Sequence, residues 1–250
     1  MPVRLGNKVA VLTDIESETG RVVVRAFAGA GASVAGFCSA AKRADITADI
    51  QNAGGQSLLV EGQASNPDDA GRLVRETIDR FGRIDTLVNG GSTHGRIVGT
   101  IFDITDDEFQ TQLDADVKAV IVLSRAVIPI MAKQGGGSII NVSSVAAPGV
   151  KGRAMRSLSK AAMNSLTCAM AHDHGADGIR VNGLLLGPTM SQQWRNNPEQ
   201  LKVLEGESAL KHLHTSEDVA NAMLFLASEE SASITGALIP LDAGRSLAQH

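Results

Sequence analysis

The chain contains no tyrosine at all, one tryptophan and six phenylalanines among its 250 residues. The missing phenol removes one acid–base group outright from any chemistry the protein carries. Cysteine is also scarce. Cys38 and Cys168 stand far apart with no CxxC partner and read as free thiols of a reducing compartment. No apolar run approaches the ~18 residues of a membrane-spanning helix, and the opening MPVRLGNKVAVLT lacks a signal-peptide pattern. Positive charge is not in excess: 23 Lys and Arg against 27 Asp and Glu leave a formal charge of −4. That balance argues against nucleic-acid and anionic-membrane partners. A cytoplasmic protein is expected. Internal repeats, low-complexity tracts and linkers are lacking too.

What is present is a regular alternation of short apolar runs and helical stretches. Strands are expected at Lys8 to Thr13, Ser33 to Cys38, Ser57 to Val60, Ile84 to Asn89, Ile139 to Val142, Ile179 to Leu186 and Ala237 to Leu241. Helices are expected at Gly20 to Ala30, Asp45 to Ala53, Pro67 to Phe81, Thr105 to about Lys133 and from Ser216, with Ser216 as the N-cap. The 188–210 segment reads as irregular. Strands alternating with helices of this length give an α/β fold: a Rossmann-like doubly wound parallel sheet, helices on both faces, one domain over 1–250.

The central stretch is IINVSSVAAPGVKGRAMRSLSKAA, from Ile139 to Ala162. Its apolar run ends in Ser143 and Ser144, at the carboxyl end of a buried strand, where open α/β sheets bind ligands. Arg156 and Lys160 are four residues apart and share a helix face. With IDTLVNGG, GIRVNGLLLGP, SEDVANAMLFLAS and ITGALIPLDAG in order, the chain resembles the short-chain dehydrogenase/reductase family over nearly its whole length. The resemblance matches Ser144 to the family's serine and Lys160 to its lysine. Arg156 stands where the family has its tyrosine. Matching DVKA to the N-x-x-G pattern puts Asp116 where an asparagine would hold a water.

The resemblance implies NAD or NADP as cofactor, yet the determinants are altered. The family's T-G-x-x-x-G-x-G reads Thr13-Asp14-Ile15-Glu16-Ser17-Glu18-Thr19-Gly20, so Thr13, Ile15 and Gly20 are what remains to meet a dinucleotide. A carboxylate ~6 Å from a phosphate charge costs about 3 kcal/mol at an effective dielectric near 20. The acids either face the phosphates or turn to solvent. Ser39 ends the second strand beside Cys38, with Lys42 and Arg43 leaning toward NADP. Gly62-Gln63 replaces the family's Asp-Val, Asn89-Gly90-Gly91-Ser92 its N-N-A-G, and Ser191 keeps the hydroxyl of its P-G-x-x-x-T. Asn89, Gly91, Lys160 and Ser191 complete the candidate cofactor contacts. Binding, if any, is expected to be weak.

Arginine cannot replace tyrosine as an acid–base group, because guanidinium stays protonated. Arg156 and Lys160 instead form a two-cation face beside Ser144, which either binds a carboxylate or phosphate or pairs with Asp116. His94, just past the fourth strand, is a candidate acid or base, or a solvated bystander. The His172/His174 and His212/His214 pairs, spaced i, i+2, point to different faces and make no metal site. Trp194, Met190 and Met155 line a cleft under a substrate lid, or Trp194 only anchors that segment.

Three functions stay open: a family member without standard alcohol/ketone chemistry that serves as a pseudoenzyme or partner subunit, an oxidoreductase with His94 or a Ser144-held water as proton donor, and a non-redox enzyme using Ser144, Arg156 and Lys160 on an anionic substrate. Apolar stripes (Val117, Val120, Ile121, Ile128; Leu158, Ala161, Ala162, Leu166, Ala169) point to a homotetramer or dimer, or pairing with an intact relative.

Overall fold

The computed structural model describes residues 4–90 and 99–249. Seven parallel strands form one sheet: β1 (Val9–Leu12), β2 (Ser33–Phe37), β3 (Ser57–Val60), β4 (Thr86–Asn89), β5 (Gly137–Ser144), β6 (Ile179–Leu186) and β7 (Leu238–Leu241). Their spatial order is β3-β2-β1-β4-β5-β6-β7. The order reverses between β1 and β4, and a crevice opens beyond the strand ends at such a reversal. Register is set along the centre by Val11 beside Leu87 and by Asn89 beside Asn141.

Nine α-helices cover the sheet among the described residues: α1 (Glu18–Gly29), α2 (Ala40–Asn52), α3 (Pro67–Phe81), α4 (Asp106–Leu113), α5 (Ala119–Lys133), α6 (Ala154–His174), α7 (Gln192–Arg195), α8 (Pro198–Glu207) and α9 (Ser216–Ala227). On one face Phe27, Ile46, Ile50 and Val219 pack on Leu12 and Ile140. On the other, Leu73, Leu123, Val127 and Met131 pack on Val11 and Ile139. Neighbouring strand residues thus serve opposite layers, as the period of two demands. This is the expected α/β architecture with helices on both faces.

Several boundaries differ from expectation, each for a local reason. The long helix opening at Thr105 is broken by a π-helical turn, Asp114–Lys118, between α4 and α5. That turn carries Asp116 inward, and Asp116 is buried. Helix α2 begins at Ala40 rather than Asp45, one residue after Ser39. The 188–210 segment is not irregular throughout, since it contains α7 and α8. The cap of α9 is Thr215, not Ser216: its hydroxyl accepts from the Asp218 amide, and the Asp218 carboxylate returns the bond to the Thr215 amide. Cys38 is buried, Cys168 is half-buried, and both are free thiols.

Candidate functional site

The crevice is built first by the turn after β1. Asp14 holds φ at 57°, a left-handed conformation that glycine adopts at less cost. Its carbonyl lies so close to α1 that a Cβ on Gly20 would fall 1.9 Å from it, so Gly20 keeps its identity on steric grounds alone. Ser17 caps α1 by accepting from the Gly20 amide at 2.9 Å. Thr13 Oγ1 accepts from the Gly90 amide at 2.7 Å, tying the end of β1 to the end of β4.

Asp14 is half-buried and Glu16 and Glu18 are exposed, yet each of these three acids has a hydrogen-bond donor within the protein. Asp14 accepts from Ser17 Oγ at 3.2 Å. Glu16 accepts from the Ser39 amide at the head of α2, where Ser39 offers no side-chain cap of its own. Glu18 accepts from the Gln192 amide at 3.3 Å and faces Arg195 Nη1 at 3.4 Å, so the turn is joined to α7.

The second wall comes from β5 and α6. The Ser144 hydroxyl donates to the Leu186 carbonyl at 3.3 Å and accepts from the Ala146 amide at 3.2 Å. Lys160 Nζ donates to Asp116 Oδ1 at 2.9 Å and toward the Val142 carbonyl at 3.4 Å. Asp116 Oδ2 accepts from Ser159 Oγ at 2.7 Å and Gln112 Nε2 at 2.6 Å. Burial pulls the Lys160 ammonium below its ordinary range, against the attraction of Asp116. Arg156 is half-buried on the same helix. Burial lowers its pKa, Asp116 opposes the shift and Arg153 adds to it. It remains a cation, as arginine does in proteins.

These walls enclose a cavity of about 490 Å³. Of the expected site residues, Thr13, Ile15, Gly20, Ser144, Arg156 and Ser191 line it. Ile15 does so only from below, because its side chain is 1% exposed and packs in the core. Ser39, Asn89, Asp116 and Lys160 are not among the lining residues. Asn89 turns inward and donates to Asn141 Oδ1 at 2.8 Å, while Lys160 and Asp116 satisfy each other inside the wall. The two-cation face therefore separates: Lys160 is an internal ion partner, and Arg156 alone of the pair faces the cavity. Gly91 and His94 lie outside the described residues. Trp194 lines the cavity with Gln193, Gln200 and Leu204 of the 188–210 segment; Met190 and Met155 do not.

Sequence reasoning missed Arg153 and Arg245, both of which line the cavity. Arg153 could have been found from its spacing of three to Arg156, which brings both to one helix face. Arg245 could not, since it reaches the site from the chain's far end and is held by Glu207. No group of three or more His, Cys, Asp or Glu able to hold a metal exists among the described residues.

A doubly wound sheet with a crevice at its reversal point is a dinucleotide-binding fold by class. A family model described as enoyl-(acyl carrier protein) reductase matches residues 16–246. An uncharacterised oxidoreductase of Thermotoga maritima is 35% identical over 95% of this chain and 96% of its own length. The meso-2,3-butanediol dehydrogenase of Serratia marcescens is 31% identical over 97% and 96%. A doubly substituted short-chain dehydrogenase/reductase from Serratia marcescens superposes with a TM-score of 0.89 at 28% identity, covering 97% of this chain and 99% of that one. The chain belongs to the short-chain dehydrogenase/reductase family, whose members typically bind NAD(P).

Proposed function

We propose that this chain is a family member whose NAD(P)-dependent alcohol/ketone chemistry is lost or strongly impaired, and that it works in the cytoplasm as a ligand-binding or partner subunit. The observation that carries this reading is Arg156 at the tyrosine position, lining the cavity that Ser144 also lines. A positioned general acid–base is worth about 10²–10⁴-fold, and a guanidinium supplies none of it. The lysine that would tune the tyrosine and meet the cofactor is bonded instead to Asp116.

The dinucleotide subsite supports the same reading. The Gly20 amide, which a pyrophosphate would seek, already donates to Ser17. Glu16 holds the Ser39 amide at the end of β2, where an adenosine ribose would sit, and Asp14 and Glu18 add two more carboxylates to the turn after β1. The residues present do not fit a nicotinamide dinucleotide in the family's manner. The competing oxidoreductase reading needs His94, which lies outside the described residues, or a water held by Ser144, whose hydroxyl already donates to the Leu186 carbonyl and accepts from the Ala146 amide.

The test is a titration of the purified chain with NADH and NADPH, read by calorimetry and nicotinamide fluorescence, beside a ketone-reduction assay. Binding weaker than micromolar and negligible turnover are expected. Ketone reduction near ~10 s⁻¹, an ordinary enzyme rate, would overturn the proposal.

A further inference from the structure

Two arginines stand at the wrong end of a helix. Arg153 is the N-cap residue of α6 and Arg156 lies in its first turn. A helix N-terminus carries positive potential and favours anions, so this 21-residue helix disfavours both cations. Ordinary sequences place acids there, as α3, α4 and α9 do in this chain.

Neither guanidinium makes a hydrogen bond or ion pair with any described residue. The described carboxylate whose charge acts on Arg156, Asp116, has its Oδ1 taken by Lys160 and its Oδ2 by Ser159 and Gln112. Arg156 is nonetheless half-buried, and both side chains line the cavity. A half-buried cation with no hydrogen-bonded partner among the described residues costs free energy that a bound anion would recover.

We propose that Arg153 and Arg156 form an oxyanion subsite of this cavity, and that its ligand is a small carboxylate with an apolar body. This rests on the ligand-binding reading above and names the class of ligand. The guanidinium fork matches a carboxylate with two parallel hydrogen bonds. The charge count selects a monoanion. Among the described lining residues the charged ones are Asp14, Arg153, Arg156 and Arg245. Arg245 is paired with Glu207, so the remaining described charges, two guanidiniums and one carboxylate, sum to a single positive charge. Beyond the arginines the wall turns apolar, with Val145, Val150, Trp194 and Leu204 offering contact to a short hydrocarbon body.

Hexanoate, hexyl phosphate, inorganic phosphate and 1-hexanol are the probes, with affinity read by calorimetry on the full chain. Hexanoate is expected to bind, 1-hexanol not to, and Arg156→Met and Arg153→Met each to weaken hexanoate tenfold or more. Arg156→Lys, which keeps the charge and loses the fork, should fall between. Arg156→Met should also melt higher than wild type without ligand, because it removes a half-buried charge with no hydrogen-bonded partner among the described residues; this separates lost recognition from lost folding. Absence of hexanoate binding, or equal binding by Arg156→Met, would overturn the proposal. Hexyl phosphate or inorganic phosphate binding tenfold tighter than hexanoate would overturn the choice of carboxylate. None of these results depends on the dinucleotide titration, so the two readings can fail separately.

Discussion

Lys160 Nζ and Asp116 Oδ1 meet at 2.9 Å with side chains only 4% and 0% exposed, which makes them an internal ion pair between α6 and the π-helical turn. Removing one member of such a pair leaves the other charge buried alone, at a cost of about 3–5 kcal/mol. Asp116→Ala should therefore be severely destabilising in urea unfolding. The double change Lys160→Met with Asp116→Leu should recover most of that loss, since apolar replacement of a buried pair is often near neutral. If Asp116→Ala unfolds at the wild-type midpoint, the pair is not a structural element.

The turn after β1 makes a separate prediction. Asp14 at φ 57° pays the left-handed penalty of about 1–2 kcal/mol that glycine avoids. Asp14→Gly should raise the melting temperature, and combined with Glu18→Gly it should tighten NADH or NADPH at least tenfold. Arg156→Tyr alone should restore no ketone reduction, because the acids of the turn remain. Micromolar dinucleotide binding by wild type, unchanged in the double mutant, would show that these carboxylates do not oppose the cofactor.

Much of the fold was legible because it rests on local patterns. Ser57–Val60, Pro67–Phe81 and Ile179–Leu186 lie where apolar runs, a proline at the first helical position and a closing Gly82 put them. What escaped depends on contacts across the chain. Asp116 is polar in a helical stretch and gives no local sign of the π-helical turn that buries it against Lys160. Glu16 and Glu18 read as charges opposing a phosphate or facing water, and only the tertiary structure brings them to the Ser39 amide and to α7. Asn89 looked like a cofactor contact, yet its partner Asn141 is 52 residues away. Within the site, the arginine at the tyrosine position was readable, and its separation from Lys160 was not.

His214 ties stability to pH. Its Nε2 lies 2.8 Å from Thr189 Oγ1, and its Nδ1 is buried without a hydrogen-bond partner. Burial pulls its pKa below 6.5; Asp218 and Asp242 oppose the shift without overcoming it, and His212 adds to it. The folded protein thus binds fewer protons here than the unfolded chain does. Stability is complete above the unfolded value near 6.5 and falls as pH drops toward the lowered folded value, by at most about 1.4 kcal/mol per pH unit. Melting temperatures at pH 7.5 and 5.5 should therefore diverge more for wild type than for His214→Gln. Equal differences would show that His214 titrates as it does in the unfolded chain.

Assembly is the remaining prediction, and it bears on the partner-subunit reading directly. On α6, Leu158, Ala161, Ser165 and Ala169 form one exposed stripe, with Leu158 46% exposed. Phe109 of α4 and Ile121 of α5 are 40% and 37% exposed, and Phe102 just before α4 is 97% exposed. Small residues along a helix let a second helix approach closely, and clustered apolar surface of this kind marks association sites. Two copies related by a twofold axis would bury the same stripe on each partner, a closed arrangement that leaves no exposed repeat. Members of the family are typically oligomeric. Sedimentation of the purified chain should give a dimer or tetramer at micromolar concentration. Leu158→Glu with Ala161→Glu should dissociate it with little change in secondary structure, because both side chains already face water in the single chain. A wild-type monomer at that concentration would remove self-association as the reason this chain persists, and the Arg153–Arg156 cavity would then carry its function alone.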